Sequence, residues 1–173
     1  MVQKLFTKSY QSFEPFLSAY VLDTMALKIG NIAPAFNLKS TGEKSIDSLK
    51  DFNGQAFILY FYPKDFTKGC TAEACEFRDQ FEAFRNLDIP VLGISKDDIP
   101  THERFKKEHR LPFDLLSDPS GEVCKAYDAL IPLIKMPKRI TYLIDKDHKI
   151  AAVFSDMFES KGHIESMLKS IKK

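Results

Sequence analysis

The chain has 173 residues, 44% of them hydrophobic, so it can bury one substantial core but is too short to make two ordinary domains the expectation. Its 25 basic and 24 acidic residues nearly cancel and form no long run of one sign, which argues against nucleic acid or a membrane surface as partner. Because no apolar stretch approaches the roughly 20 residues that cross a bilayer and no compact secretory signal opens the chain, we expect a soluble, cytoplasmic protein.

The first 24 residues differ from the rest because they show no clean hydrophobic periodicity. Two lysines and several serines resemble an organelle-targeting stretch, whereas Glu14 and Asp23 count against one. An ordered arm and a mis-assigned start are the other interpretations. We predict a flexible, ancillary extension over residues 1–24 and one domain over residues 25–173.

The first half of that domain alternates strand and helix signals. Residues 35–40, AFNLKS, predict a short strand, and residues 45–54 predict a helical turn or bend. The continuous apolar run AFILYFY at residues 56–62 is typical of a central strand buried on both faces. Residues 71–87 then carry four apolar side chains at helical spacing: Ala74, Phe77, Phe81 and Phe84.

The second half continues the alternation. Residues 90–97 indicate a second buried strand, and residues 99–110 a charged surface helix. A strand, a turn and a helix are expected over residues 113–129, a hairpin over residues 139–154 and an amphipathic helix over residues 162–173. Together these signals predict an α/β fold with a central mixed β-sheet flanked by helices on both faces.

Two of the three cysteines, Cys70 and Cys75, follow the predicted central strand, where open α/β sheets place their sites. Three cysteines do not resemble a disulfide framework. With Thr67 as N-cap, Cys70 is the third helical residue, where unpaired backbone N–H groups and the helix dipole favour a thiolate. Gly69 permits a close backbone approach beside it.

The five-residue spacing of these cysteines is too wide for a CxxC redox pair. In a regular helix their Cα atoms lie roughly 8 to 9 Å apart, whereas a disulfide requires less than about 7 Å. The two cysteines therefore bond only if the first helical turn unwinds. We hypothesise that one thiol reacts in the folded helix and that the other resolves it after local unfolding.

Simpler interpretations of the same residues remain open. Free cysteines are often small buried hydrophobes, and Thr67 alone is an ordinary helix cap. Metal binding is weakly indicated, because the chain has no CxxC or HxxxH motif. The dispersed histidines are expected on the surface: His102, His109, His148 and His163. We expect neither a metal nor an organic cofactor.

Taken together, these residues resemble a known family. Pro63, Thr67 and Cys70 match the Pro-x-x-x-Thr-x-x-Cys signature of peroxiredoxins. Cys75 is similarly placed to the second cysteine of the peroxiredoxin Q, or bacterioferritin comigratory protein, subfamily. Four further segments resemble the family: residues 76–79, 91–97, 111–118 and 139–145.

The resemblance implies a thioredoxin-like fold and the reduction of hydrogen peroxide and organic hydroperoxides. It implies that Cys70 is the peroxidatic cysteine and that Cys75 resolves it as an intramolecular disulfide, which thioredoxin or a similar dithiol protein reduces. Arg139 occupies the place of the family's pocket arginine, and the family leans to a monomer. Lys68 and Phe66 depart from the family pattern of this loop, which leaves loop rigidity and substrate preference open.

Each residue of the predicted site has an expected task. The Cys70 thiolate attacks the peroxide and becomes a sulfenic acid, while Arg139 stabilises the thiolate and the charge on the peroxide oxygens. The Thr67 hydroxyl donates to sulfur or peroxide, and the Pro63 ring shields the pocket from water. Two other functions compete: a protein thiol-disulfide oxidoreductase, against which the missing CxxC counts, and a redox-sensing binding module switched by the Cys70–Cys75 disulfide.

Overall fold

The computed structural model describes residues 26–155 and Leu168. The extension predicted at residues 1–24 and nearly all of the helix predicted at residues 162–173 lie outside the described residues. Leu168 itself is helical and buried. The domain boundary at residue 25 therefore stays a prediction.

Nine strands and five helices lie within residues 26–155. The strands are β1 (Asn37–Ser40), β2 (Lys44–Asp47), β3 (Phe57–Phe61), β4 (Val91–Ser95), β5 (Asp114–Ser117), β6 (Leu130–Ile131), β7 (Met136–Pro137), β8 (Ile140–Ile144) and β9 (Ile150–Ser155). The helices are α1 (Ser48–Asp51), α2 (Lys68–Asp79), α3 (Phe81–Arg85), α4 (Ile99–His109) and α5 (Glu122–Ala126). In this part of the chain no helix is long and apolar enough to cross a membrane.

Seven of the strands form one mixed sheet in the order β2-β1-β5-β4-β3-β8-β9. Strand β3 lies inside it, parallel to β4 and antiparallel to β8, and all five of its residues are buried. The short strands β6 and β7 pair separately. The structure therefore confirms the predicted α/β fold with a central mixed sheet, and it confirms the position of the central strand.

Side-chain alternation along β3 divides the core into two layers. Ile58 and Tyr60 pack on one face with residues of α2, α3 and α4. Phe57 and Leu59 pack on the other face with Cys124 of α5. Helices thus cover both faces of the sheet, as predicted, and the layer under α2 is the one that receives the first cysteine.

The helical turn or bend predicted over residues 45–54 is wrong in its first part, because Lys44–Asp47 is strand β2. Gly42 (φ 78°) and Glu43 (φ 57°) lie in the left-handed region and reverse the chain, so that β2 pairs with β1 as a hairpin. A four-residue strand with one buried residue, Ile46, is too short to show its alternation in the sequence.

The helix predicted to follow Thr67, with apolar side chains at helical spacing over residues 71–87, begins where expected but is interrupted. Helix α2 starts at Lys68, and Gln80 separates it from α3. Phe77 and Phe84 are both fully buried, as their seven-residue spacing on one helical face predicts. The start at Lys68 matters for function, because it places Cys70 inside the helix.

Candidate active site

The loop between β3 and α2 carries the first two residues of the predicted site. It runs from Tyr62 to Thr67 and contains the half-buried Pro63. Thr67 has an extended backbone (φ −81°, ψ 145°) and is the N-cap residue of α2. Cys70 is therefore the third helical residue, as the sequence predicts.

The Cys70 side chain faces the core rather than solvent. The residue is 2% exposed and lies in the same hydrophobic layer as Ala74 and Phe77. Tyr60 belongs to this layer too, and its ring stacks on that of Phe77 with the centroids 4.6 Å apart. The thiol is free. In so dry a setting, a charge placed against the sulfur acts more strongly than it would in water.

Arg139 brings such a charge to the thiol. It lies directly before β8, and its Nη2 atom donates to Cys70 Sγ at 3.5 Å while Nη1 donates to the Gly69 carbonyl oxygen at 3.4 Å. A Cβ atom at position 69 would lie 3.0 Å from Nη2, so the glycine permits the close approach expected of it. The fold thus joins Cys70 and Arg139, which are 69 positions apart in the chain.

A buried carboxylate that the sequence analysis did not single out also contacts this arginine. Glu73 lies three residues after Cys70 in α2, and its Oε2 atom accepts a hydrogen bond from Arg139 Nη1. Residues at i and i+3 are neighbours on a helix surface, so the thiol and the carboxylate meet the same guanidinium. An acidic residue one turn after the cysteine is the signal that points to Glu73.

Burial and ion pairing act on Glu73 in opposite directions. Burial raises the pKa of Glu73 to about 7, although the Arg139 charge opposes the rise. Burial alone would lower the pKa of Arg139, but the charges of Glu73 and Cys70 raise it above its ordinary value. Near neutral pH a fraction of Glu73 is therefore protonated, and in that fraction Glu73 does not neutralise the Arg139 charge beside Cys70.

We expect Glu73→Gln to change how the free energy of unfolding depends on pH. The pKa of Glu73 is higher in the folded state than in the unfolded chain, so this group favours folding at low pH and the stabilisation is lost as the pH rises from 4.5 to about 7. Relative to the variant, the wild-type protein should lose up to about 3 kcal/mol over this window, at about 1.4 kcal/mol per pH unit. Denaturant unfolding of both reduced proteins at pH 5 and pH 8 measures the difference.

The matched control for this experiment is Glu82→Gln, because Glu82 is an exposed glutamate paired with Arg85. Its substitution should leave the pH dependence of unfolding close to wild type. Identical pH slopes for wild type and Glu73→Gln would show that the pKa of Glu73 is the same in the folded protein as in the unfolded chain.

Thr67 and Pro63 lie in the loop that precedes the cysteine, and their predicted tasks remain predictions. The Thr67 hydroxyl donates to the Lys64 carbonyl oxygen at 3.0 Å and makes no hydrogen bond that caps the helix. A hydroxyl has one proton to donate, so donation to sulfur or peroxide requires rotation of the Thr67 side chain. In this conformation the hydroxyl oxygen can accept a further hydrogen bond.

Cys75 lies on the same helix as Cys70. It is half-buried and free, and its thiol interacts with the Arg78 guanidinium. Arg78 also donates to the carbonyl oxygen of His109 at 2.9 Å, at the end of α4. Because α2 is continuous from Lys68 to Asp79, the helix holds the two cysteines at the spacing that forbids a disulfide.

The surface position predicted for His102 is wrong, because His102 is fully buried on the inner side of α4. The helix is charged overall, but His102 and Phe105 are three residues apart and both face the core. The histidine contacts Asp65 of the active-site loop. Within residues 26–155 and at Leu168, no group of three histidine, cysteine, aspartate or glutamate side chains is arranged to hold a metal ion.

Comparison with known proteins connects this geometry to a family. The sequence profile of the AhpC/TSA family matches residues 29–153. The chain belongs to the AhpC/TSA family. Its relatives include peroxiredoxin Q, chloroplastic, of Gentiana triflora, which is 36% identical over 156 residues, 90% of this chain and 71% of that protein. A protein of Coxiella burnetii assigned as peroxiredoxin bcp is 41% identical over 150 residues, 83% of this chain and 98% of that protein.

The fold agrees with this membership. The crystal structure of peroxidoxin BcpB from Mycobacterium tuberculosis matches with a TM-score of 0.77 and 31% identity, over 84% of this chain and 97% of that one. The thioredoxin-like fold and the resemblance to peroxiredoxins are thereby confirmed. This AhpC/TSA family member is an enzyme, a thiol-dependent peroxidase. The tasks of its individual residues are proposals based on the geometry above.

Proposed function

We propose that the chain reduces hydrogen peroxide and organic hydroperoxides through Cys70, with Cys75 as the resolving cysteine and thioredoxin or a similar dithiol protein as the reductant. One observation carries the proposal. The buried Cys70 thiol, in the first turn of α2, accepts a hydrogen bond from the Arg139 guanidinium. A cysteine that faces both a helix N-terminus and an arginine is placed for thiolate chemistry.

In the first step, the Cys70 thiolate attacks the terminal oxygen of the peroxide. An S–O bond forms as the O–O bond breaks, so the sulfur is oxidised to a sulfenic acid. The other peroxide oxygen leaves as an alkoxide or hydroxide, which takes up a proton. Negative charge spreads over both peroxide oxygens in the transition state. The Arg139 guanidinium is planar and has several N–H donors, so it can stabilise the charge on both oxygens without changing its conformation.

In the second step, the Cys75 thiolate attacks the Cys70 sulfur, an S–S bond forms as the S–O bond breaks, and the departing hydroxide takes up a proton to become water. The dithiol reductant then reduces the disulfide by thiol–disulfide exchange and itself becomes oxidised. The five-residue spacing requires the start of α2 to unwind before the sulfurs meet. Unwinding also separates Cys70 from Arg139, so the protein alternates between a peroxide-reactive fold and a disulfide-forming one.

The proposal also covers cofactors, cellular location and oligomeric state. Every step uses side chains of this chain, the peroxide and the reductant, and no metal or organic cofactor is required. We place the enzyme in the cytoplasm, as expected from the sequence, and as a monomer, as the family resemblance implies. The relative from Gentiana triflora is named as chloroplastic.

We expect oxidation by one equivalent of peroxide to loosen residues 70–76. The amide hydrogens of this segment should exchange faster in the oxidised protein than in the reduced protein, because the disulfide is incompatible with the intact first turns of α2. Hydrogen exchange followed by mass spectrometry measures this change. The same digests show whether Cys70 and Cys75 are joined.

Cys75→Ser is the control for the unwinding experiment. This variant should keep slow exchange after oxidation and accumulate Cys70 sulfenic acid, which further peroxide converts to the sulfinic acid. Slow exchange in a wild-type protein whose Cys70–Cys75 disulfide has been established by mass would show that the unwinding mechanism is wrong.

A further inference from the structure

Three buried polar side chains beneath the active-site loop have no task in the reaction described above. They are Tyr62 after β3, Asp65 in the loop and His102 on α4, and each is at most 3% exposed. Tyr62 Oη donates to Asp65 Oδ1 at 2.8 Å, and Asp65 Oδ2 lies 2.7 Å from His102 Nδ1. Buried polar groups are costly unless they are hydrogen-bonded, so this pairing fixes each of the three in one position.

The far side of the histidine ring ties this Tyr62–Asp65–His102 cluster to the sheet. His102 Nε2 lies 3.2 Å from the Leu116 carbonyl oxygen in β5. A carbonyl oxygen only accepts, so Nε2 carries a hydrogen. On the other side of the ring, Nδ1 and the Asp65 oxygen are 2.7 Å apart, so one proton lies between them. Tyr62 Oη also lies 3.4 Å from His102 Nδ1, so moving Asp65 away would leave only this longer contact in place of two short ones.

The backbone of the loop is anchored as well. The Asp65 N–H donates to Asp97 Oδ2 at 2.8 Å, and Ser95 Oγ donates to the same oxygen at 2.7 Å. The next residue, Phe66, has a φ of 60°, which is unfavourable for a residue with a Cβ atom. Its ring packs against that of Phe105 with the centroids 5.2 Å apart. The loop therefore adopts a locally unfavourable conformation that contacts with β4 and α4 maintain.

We propose that Tyr62, Asp65 and His102 are positioning residues that lock the active-site loop, and with it the start of α2, in the conformation in which Cys70 faces Arg139. The proposal rests on the two-cysteine function above, because it assigns the lock to the peroxide-reactive fold. The lock favours attack on peroxide and opposes the release of Cys70 toward Cys75. The lock thereby determines which fraction of the Cys70 sulfenic acid forms the disulfide and which fraction is oxidised by a second peroxide molecule.

Tyr62→Phe and Tyr127→Phe form a matched pair that tests the lock. Each removes one phenol hydroxyl from a fully buried ring, but Tyr127 Oη donates to the Pro34 carbonyl oxygen and packs in the opposite core layer. We expect Tyr62→Phe to slow Cys70 oxidation about threefold, the worth of one buried hydrogen bond, and to speed disulfide formation. Tyr127→Phe should leave the ratio of the two rates unchanged.

The two rates are measured by rapid mixing of reduced protein with hydrogen peroxide, acid quenching, alkylation and mass spectrometry. Oxidation of Cys70 is followed in a Cys75→Ser background, where it does not depend on the resolving step. A wild-type protein that never forms the Cys70–Cys75 disulfide would overturn the proposed function. The Cys70 oxidation rates would still report separately on the positioning role.

Substitutions of Asp65 provide the second test. Asp65→Ala removes both hydrogen bonds of the carboxylate, and we expect Cys70 oxidation to slow about tenfold because the thiol is no longer held against Arg139. Asp65→Asn should restore most of the rate, since its amide oxygen accepts from Tyr62 and its NH₂ group donates to a neutral His102 ring. A role limited to global stability would not produce this rescue together with a changed ratio of the two steps.

Two results would overturn the lock. One is a Tyr62→Phe protein whose oxidation and disulfide rates change by the same factor as those of Tyr127→Phe. The other is a folded Asp65→Ala protein that oxidises Cys70 as fast as wild type. Should Asp65→Ala fail to fold, the tyrosine pair decides the question alone.

Discussion

Replacing Cys70 with serine is expected to abolish peroxide reduction, leaving at most a few per cent of wild-type turnover. A serine hydroxyl stays protonated at neutral pH and is a far poorer nucleophile than a thiolate, and Arg139 has no anionic sulfur to stabilise. The measurement is steady-state peroxide consumption with thioredoxin and its reductase. Turnover well above this level in Cys70→Ser would place the nucleophile elsewhere in the chain.

Cys124→Ser is the matched control for this substitution. Cys124 lies in α5 on the opposite face of the sheet and is fully buried. Burial and the nearby Asp118 carboxylate raise the pKa of the Cys124 thiol far above its ordinary value, which keeps it protonated and unreactive. We therefore expect nearly full activity. Loss of turnover in a well-folded Cys124→Ser protein would show that Cys75 is not the resolving cysteine.

Replacing Arg139 with lysine is expected to slow Cys70 oxidation by roughly 10²-fold, similar to removing one preorganised donor from an oxyanion site. Lysine keeps the positive charge but loses the planar fork that contacts Cys70, Gly69 and Glu73 together. A single ammonium group would pair with the buried Glu73 carboxylate and leave the sulfur without its donor. Stopped-flow oxidation in the Cys75→Ser background isolates this step.

Arg85→Lys provides the comparison for the arginine substitution. Arg85 is 66% exposed at the end of α3 and pairs with Glu82, so the same chemical change there should leave the oxidation rate unchanged. An Arg139→Lys protein that oxidises Cys70 at the wild-type rate would limit Arg139 to its ion pair with Glu73 and exclude it from the oxidation step.

The two departures from the peroxiredoxin pattern gain a physical meaning from the structure. Lys68 is the first residue of α2, a position where proline is favoured because its fixed φ suits a helix start. Phe66 occupies a left-handed conformation before it. We expect both features to make the start of this helix easier to unwind, as the proposed mechanism requires. The polar lock beneath the loop acts in the opposite direction.

The sequence by itself determined the fold class, the central strand and the position of Cys70. A short continuous apolar run bounded by turn residues is typical of a strand buried on both faces of a sheet, and the residues that follow it signal a helix start within a few positions. These are local properties, because the burial pattern, the capping position and the cysteine spacing each depend only on about 20 neighbouring residues. The same locality explains why the spacing of Cys70 and Cys75 was enough to predict a moving helix.

The family resemblance places Arg139 at the thiol, but only the tertiary structure decided which other distant groups meet there. Glu73 could be noticed as an acidic neighbour, but its burial and its pairing with Arg139 depend on how β8 lies beside β3. The sequence predicts that His102 belongs to a charged surface helix, whereas the packing of α4 against the sheet buries this histidine against Asp65. A side chain's partners across the fold set its burial and charge, and no short pattern in the sequence contains them.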